Sequence, residues 1–491
     1  MIEQTTVHTD LLQEVRKGIS GIDATITTPY HTSIPIVYAD WTASGRMFVP
    51  IEERMNREIY PFVANTHTET NSTGRFMTQA YHEALSRIKQ HVNAGENDSI
   101  ICEGSGMTGV VNKFQRILGI KVHEAFKDQL IIDKVDQPVV FVTHMEHHSN
   151  HISWSETIAK VCIIPADEKG LPDLVALELL LQQHAHRKHK FASVTAASNV
   201  TGMFTPYHAI ARLMHQNNGL CFVDFACAAP YITMNMHPEN PEERLDAIFF
   251  SPHKFLGGPG SSGVLIFSNE LYHNTIPDHP GGGTVVWTSP YRSPRYYNSI
   301  EEREDGGTPG FLQVMRTAMA IQLKEQLTVE RILKREKEQV AFVFDHLLGI
   351  DGLTLLESHG SNRLAIFSFT IDQLYHQLGV RMLNDHFGIQ VRGGCSCAGT
   401  YGHYIFGVDE ATSCSVVERL ENGDILSKPG WIRMSIHPTT SNAELEFICA
   451  SIKTLAEQYK NWSTDYTISL SGVITCLSDK EETPIAVFRP F

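Results

Sequence analysis

Lys254 lies in the segment Ser251-Pro252-His253-Lys254-Phe255-Leu256-Gly257-Gly258-Pro259-Gly260, between two apolar runs, Ala247–Phe250 and Gly263–Phe267. A lysine at the carboxyl end of a buried strand stands where α/β sheets bind ligands. Partial burial lowers the pKa of an ammonium, and an uncharged amine can condense with a carbonyl. Ser251 and His253 can hydrogen-bond an anion, and the glycines allow backbone to approach a ligand closely. A turn lysine beside a flexible glycine loop would explain the same residues without chemistry. Asp224 shifts that balance. It ends the apolar run Leu220–Val223, one strand–turn–strand unit upstream of Lys254. An acid there can pair with a ring nitrogen and keep it protonated, which turns an aromatic cofactor into an electron sink. A solvated strand-end aspartate is common alone, but less expected at this separation from such a lysine.

Two further segments follow strand-like runs. Gly104-Ser105-Gly106-Met107-Thr108-Gly109 comes after Ser99–Glu103 and opens a helical pattern. Such a turn offers N–H groups and the positive end of a helix dipole to an anion. It lacks the lysine of a P-loop, and an ordinary strand-to-helix turn looks the same. His144-Met145-Glu146-His147-His148-Ser149-Asn150-His151 comes after Val139–Thr143. Its spacing is not His-Glu-x-x-His and no second ligand cluster accompanies it, so no metal is expected. An imidazole stacked on an aromatic cofactor suits the strand-end position. His184, His186 and His189 read as a solvated helix end or loop.

The elements that must position these residues are legible as alternating patterns. Ser99–Glu103, Val139–Thr143, Val161–Ile164, Ala192–Ala196, Leu220–Asp224, Ala247–Phe250 and Gly263–Phe267 are short runs rich in Val, Ile and Phe. Several lack polar alternation, as strands buried on both faces do. Helical patterns fall between some of them, at Val110–Leu118 and Pro206–His215. The expectation is an α/β fold with a mostly parallel seven-stranded sheet in the larger domain. Before it, Phe76, Ala80, Ala84, Ile88 and Val92 recur every four residues and mark an amphipathic helix. After it, Pro280–Gly310 reads as a loop, and one long helix should run from Phe311 into Gly349. Strands at Leu353–Glu357, Arg363–Phe369, Ile389–Arg392 and Trp431–Ile436 then suggest a smaller α+β domain. Glu421–Pro429 reads as an inserted loop, and Trp462–Phe491 is strand-like without a motif. The expected division is 50–310 for the large domain, with 1–49 and 311–491 forming the small one.

The chain has 491 residues and a formal net charge of −15, which argues against a general nucleic-acid binder. No apolar stretch approaches the ~18 residues of a membrane span. Met1–Ser20 carries three acids and no apolar core, so it does not read as a signal peptide. A cytoplasmic location is the expectation. The nine cysteines are scattered, apart from Cys395 and Cys397 in one glycine-rich turn.

Taken in order, these segments resemble the class V aminotransferase superfamily of fold type I pyridoxal 5'-phosphate enzymes, in particular its cysteine desulfurase/selenocysteine lyase branch. The resemblance runs from Tyr38 to about His437. Tyr38-Ala39-Asp40-Trp41-Thr42-Ala43-Ser44 resembles the family's opening on the substrate side, and Asn65 and His67 resemble its Asn-x-His segment. The resemblance implies that Met107, Thr108, Ser251 and His253 bind the cofactor phosphate and that His147 stacks on the ring. It places Asn199 near the ring oxygen, Asp224 on the ring nitrogen and Lys254 as the Schiff-base lysine. Thr308 matches a threonine reaching the neighbouring subunit's phosphate, which implies a homodimer. Arg433 matches the arginine that clamps the substrate carboxylate, a task suited to its planar fork.

Reaction type rests on Cys397. Val391-Arg392-Gly393-Gly394-Cys395-Ser396-Cys397-Ala398-Gly399 resembles the turn carrying the persulfide-forming cysteine. A thiolate is needed there, which a nearby Arg392 would favour. A buried structural thiol or a Cys-x-Cys metal or redox pair are the other readings. The pattern departs from the family where Cys227 replaces a glutamine that bonds the ring oxygen, where Gly109 replaces glutamate, and where Cys395 and Ser396 replace histidines. The expected activity is removal of sulfur from L-cysteine, leaving alanine and an enzyme persulfide, with His147 moving a proton. A sulfur-acceptor protein would then be a partner. The alternatives are another class V reaction on a different amino acid (transamination, epimerisation or lysis), which needs no Cys397, and a non-catalytic binding protein on the same fold.

Overall fold

The computed structural model describes residues 11–127 and 129–479. The first half of the Met1–Ser20 segment and the end of the Trp462–Phe491 stretch lie outside the described residues. The seven runs of β-branched and aromatic residues form one sheet: β1 (Asp98–Glu103), β2 (Val139–Thr143), β3 (Lys160–Ile164), β4 (Lys190–Thr195), β5 (Leu220–Asp224), β6 (Ala247–Phe250) and β7 (Gly263–Ser268). The spatial order is β1-β7-β6-β5-β4-β2-β3. The five strands from β6 through β3 pair in parallel, whereas β7 is antiparallel to both β6 and β1.

Every residue of β2 and β6 is buried, which accounts for the unbroken apolar runs. Helix α1 (Ser72–His91) is capped by Asn71, whose side chain accepts from the Gly74 N–H, and buries Met77, Tyr81, Ala84 and Ile88. Helix α2 (Met107–Ile117) buries Val110, Val111, Phe114 and Ile117 on the other face of the sheet. Phe114 meets Phe222 of β5 edge-on at 5.0 Å, so truncating it to alanine would cost about 3–5 kcal/mol. Helix α3 (His148–Ser155) follows β2, α4 (Leu174–Gln183) follows β3 and α5 (Tyr207–Gln216) follows β4.

The region read as the loop Pro280–Gly310 contains an exposed hairpin, β8 (Val285–Ser289) with β9 (Arg292–Tyr296), and a short helical turn at Ile300–Glu304 capped by Ser299. Its Gly and Pro content marks the turns, and the strands between them lack a buried face. The long helix expected from Phe311 breaks into α6 (Phe311–Leu327) and α7 (Val329–Leu347). The break is Thr328, at φ 62° and ψ 136°, whose hydroxyl caps α7 by accepting from the Arg331 N–H.

A second, antiparallel sheet has the order β10 (Leu353–Leu355), β11 (Ile366–Ile371), β13 (Trp431–Ser435), β12 (Arg392–Gly394). The run Ile389–Arg392 therefore splits. Ile389–Gln390 pairs in parallel with Val37–Tyr38, while Arg392 begins β12. Helix α8 (His376–Phe387), closed by Gly388 at φ 70°, and helix α11 (Asn442–Trp462) pack on this sheet. Between β12 and β13 lie α9 (Gly399–Phe406), α10 (Glu410–Glu421) and a 3-10 turn at Ile425–Ser427, where only a loop was expected at Glu421–Pro429. After α11 the chain forms the hairpin β14 (Tyr466–Ile468) and β15 (Ile474–Cys476), anchored by buried Tyr466 and Cys476. Among the described residues no helix is long and apolar enough to cross a membrane.

Candidate active site

The carboxyl ends of β2, β4, β5 and β6 open into a cavity of about 740 Å³, closed on the far side by the β12 turn and the start of α8. That volume suits a cofactor with a small substrate. Lys254, Asp224, His147, Met107, Thr108, Asn199, Cys227, Ser251, His253, Ala43, Arg433 and Cys397 all line it. Ser44 sits just behind, its hydroxyl donating to the His253 carbonyl at 3.4 Å. Asn65 and Thr308 do not line this cavity. They meet on an exposed surface, where Asn65 Nδ2 approaches Thr308 Oγ1 at 3.5 Å.

Burial tunes the charged groups. Lys254 is pushed below the usual lysine range by desolvation, with Arg433 adding to the effect against Cys227 and Asp224. Asp224 is buried at the end of β5 and pushed up to about 6 by desolvation, while the Ala226 N–H, at 2.7 Å, and Lys254 oppose the shift. Burial, with Lys254 alongside, lowers His147 to about 3, so its ring is neutral at physiological pH. Its Nδ1 accepts the Ser149 N–H at 3.1 Å. The neutral ring therefore carries its proton on Nε2.

The anion cradle is formed by the α2 N-terminus and the turn after β6. Ser251 Oγ accepts the Met107 N–H at 2.8 Å, and Thr108 Oγ1 lies 2.7 Å from Ser149 Oγ. A Cβ at Gly106 would stand 3.1 Å from Ser251 Oγ and 3.7 Å from His253 Nε2, filling the space between them. Burial lowers His253 to about 4, so it acts here as a neutral ring.

Arg433 is buried and held from two sides. Its Nη2 pairs with Asp40 Oδ1 at 2.7 Å and its Nη1 donates to the Asn199 carbonyl at 3.2 Å. Arg392 Nε pairs with the other Asp40 oxygen at 3.1 Å. Asp40 thus aligns two guanidinium groups contributed by adjacent strands, β12 and β13. Sequence reading assigned it no such part, because it lies far from both arginines along the chain.

Cys395-Ser396-Cys397-Ala398 is a β-turn closed by the Ala398 N–H to the Cys395 carbonyl at 2.9 Å. Both central residues have positive φ, 50° at Ser396 and 56° at Cys397, in a turn type that favours Gly and Asn. Each costs roughly 1–2 kcal/mol and persists only where neighbours enforce it. Four contacts do so here. Asn199 Nδ2 donates to the Ser396 carbonyl at 2.8 Å and Trp431 Nε1 to Ser396 Oγ at 3.0 Å. The His148 N–H donates to the Cys397 carbonyl at 2.7 Å, and the Gly399 N–H donates to His148 Nε2 at 2.8 Å. This turn holds Cys397 exposed at the cavity wall.

The model for the class-V aminotransferases matches residues 37–448. The chain belongs to the class-V aminotransferase family. Relatives of this family member include proteins named probable cysteine desulfurase from Halalkalibacterium halodurans, 26% identical over 74% of this chain and 84% of that protein, and from Staphylococcus epidermidis, 27% identical over 74% and 83%. Among solved structures, a cysteine desulfurase from Thermococcus onnurineus superposes with a TM-score of 0.71 at 20% identity, covering 90% of this chain and 98% of that one. One from Escherichia coli gives 0.70 at 20% identity over 91% and 98%. These likenesses show the fold of type I pyridoxal-phosphate enzymes.

The residues present fit such a cofactor. A buried lysine with a lowered pKa and a buried acid line one cavity, whose other end is a cradle of neutral donors. One of the departures from the family pattern falls at Cys227. The Cys227 thiol, pushed up to about 12 by burial, commits its hydrogen to the Ala197 carbonyl at 2.9 Å. It has no proton left to offer a ring oxygen, whereas a glutamine would have one.

The histidines after β2 are not a metal cluster. His144 is buried with Nε2 on the Gly170 carbonyl, His148 braces the Cys397 turn, and His151 meets Thr400. Among the described residues no group of His, Cys, Asp and Glu could hold a metal ion. His184 is buried rather than solvated, because its Nδ1 accepts from Arg187 Nε at 3.1 Å, while His186 and His189 are exposed as expected. Sequence reading missed Tyr375, His376 and Gln377 at the start of α8, and Lys428, all at the cavity mouth. A short helix start and an insertion carry no pattern that announces a site.

Proposed function

We propose that this chain is a pyridoxal-phosphate-dependent cysteine desulfurase that moves the sulfur of L-cysteine onto Cys397 and leaves L-alanine. The observation that supports it best is a nucleophilic thiol held by an enforced turn in the same cavity as Lys254, Asp224 and Arg433. When bound, the cofactor supplies a protonated aromatic ring that withdraws electrons from the substrate Cα.

The chain's own residues do the rest. Lys254 would carry the cofactor, Asp224 would face its ring nitrogen, and Asn199 would lie beside its ring oxygen. Met107, Thr108, Ser251 and His253 would surround its phosphate. Arg433, aligned by Asp40, holds the substrate carboxylate, with Thr42 and Ala43 forming the adjoining wall and Ser44 behind it. Lys254 Nζ, whose pKa burial lowers, takes the α-proton. Cys397 Sγ attacks the substrate sulfur; the C–S bond breaks and its electron pair stays with the carbon skeleton. The proton lost by Cys397 ends on the carbon skeleton as alanine forms, and the neutral His147 keeps its Nε2 hydrogen, donating it only as a hydrogen bond.

The exposed Asn65 and Thr308 serve a second copy's site, so the working unit is a homodimer. The sulfur taken up by Cys397 goes on to an acceptor, and the cell compartment is the cytoplasm. The deciding experiment incubates cofactor-loaded protein with L-cysteine and measures alanine. Wild type should form it, and Cys397→Ala should not, while keeping the visible cofactor band. Alanine formation surviving in the variant would favour a different class-V reaction.

A further inference from the structure

Of the cavity thiols that the proposed reaction leaves unused, Cys227 is tied to the Ala197 carbonyl and Cys395 is not. It lies two residues before Cys397, is half-buried against Met145, Tyr401 and Trp431, and lines the same cavity wall. Residues two apart span at most about 7 Å even in an extended chain. The Cys395–Ala398 turn, with positive φ at Ser396 and Cys397, shortens that span. It falls toward the ~4.4–6.8 Å between Cα atoms that a disulfide requires. The contacts that enforce the turn run through Ser396 and the Cys397 and Ala398 backbone, leaving both cysteine side chains without a hydrogen bond among the described residues.

We infer that Cys395 is a resolving thiol, which discharges the Cys397 persulfide as free sulfide. The inference rests on the desulfurase reading. The Cys395 thiolate attacks Cys397 Sγ, the inner sulfur of the persulfide. A Cys395–Cys397 bond forms, the sulfur–sulfur bond of the persulfide breaks, and its electron pair leaves with hydrosulfide. The proton released by Cys395 ends on hydrosulfide. The two cysteines are oxidised together and the outer sulfur is reduced, so the step needs no added oxidant. Hydrosulfide leaves readily, because thiols of low pKa are the better leaving groups. An attacking group held in the same turn has a large advantage over one arriving from solution. A dithiol must then reduce the disulfide before the next turnover.

The test uses the full chain loaded with pyridoxal phosphate, one equivalent of L-cysteine, no oxygen and no reductant. Sulfide and alanine are both measured, and the peptide spanning Cys395 and Cys397 is weighed. Wild type should release close to one sulfide per alanine, and its peptide should be lighter by two hydrogens. Cys395→Ser and Cys395→Ala should lose the sulfide, and their peptide should be heavier by one sulfur. Cys414→Ser, which removes the exposed thiol of α10, should keep the wild-type ratio. A wild type that forms alanine but keeps the extra sulfur until a reductant arrives would overturn the inference and leave the desulfurase reading standing. A wild type that forms no alanine would overturn both.

Discussion

Asp224 shows how a single buried acid ties stability to cofactor binding. Burial raises its pKa to about 6 from 3.8. An acid with a higher pKa when folded binds more protons in the folded state than in the unfolded one. Stability of the cofactor-free protein therefore falls as pH rises from about 4 to about 6, and the penalty persists above that. Two pKa units correspond to roughly 3 kcal/mol. We expect Asp224→Asn to raise the urea midpoint of the cofactor-free protein near neutral pH. The gain should shrink as pH falls and vanish below about pH 3, where wild-type Asp224 is protonated in both states. Cofactor affinity should fall in the same variant, read by titrating the visible band. A variant no more stable than wild type near neutral pH would show that Asp224 is not under strain. The lysine and this acid were legible in sequence because each closes an apolar run. Asp40 was not: its function is to align Arg433 and Arg392, and that appears only when β12 and β13 lie side by side.

Thr328 and Glu146 each fix how neighbouring elements meet. The apolar pattern from Phe311 to Leu347 continues through Thr328, so periodicity alone joins α6 and α7. The break is a backbone conformation, φ 62° with ψ 136°, open mainly to glycine. The threonine remains because its hydroxyl caps α7. We expect Thr328→Gly to stabilise the protein by about 1 kcal/mol, since strain relief exceeds the few tenths lost from the cap. Thr328→Ala keeps the strain and loses the cap, so it should cost about 1 kcal/mol. Opposite shifts in the denaturant midpoint would check the pair. Glu146 joins β2, β4 and α3 below the cavity. Its carboxylate accepts from the Thr143 hydroxyl at 2.6 Å, the Thr143 N–H at 3.2 Å, the Thr195 N–H at 2.9 Å and Asn150 Nδ2 at 2.7 Å. Burial pushes its carboxyl upward. The donors on its oxygens oppose that shift. Glu146→Gln turns one acceptor into a donor facing Asn150, whose own oxygen already serves Trp154 and Ser193. A loss of about 1–3 kcal/mol should follow in equilibrium unfolding. The parallel strands were readable because burial on both faces demands apolar residues at every position. The hairpin β8–β9, α9 and α10 were not, because surface elements have no such demand.

The same surface elements bear on how whole molecules associate. Trp287 and Tyr291 of the hairpin are 70% and 90% exposed, unusual for large aromatic residues. The hairpin leads back to Thr308 through a loop in which the Gly307 N–H bonds the Gly282 carbonyl. Thr308 meets Asn65, and His67 lies against Gly283, where an added Cβ would stand 3.3 Å from its Nε2. Tyr60, Phe62 and Val63, just before Asn65, are also exposed. Apolar and hydrogen-bonding groups are thus exposed along the two segments that meet at Asn65 and Thr308, and a stable dimer needs about 600–1,000 Å² of such a face from each copy. If a second copy covers this face, Thr308 leaves solvent and reaches a cavity other than its own. Association and cofactor binding must then be linked, because part of each phosphate site arrives with the partner. We expect sedimentation to show a dimer, and Trp287→Asp combined with Tyr291→Asp to shift it toward monomer. The same variant should bind pyridoxal phosphate about tenfold more weakly, although neither residue lines the cavity. Thr308→Ala should weaken cofactor binding while the protein stays dimeric. Monomer formation with unchanged cofactor affinity would show that each chain completes its own site.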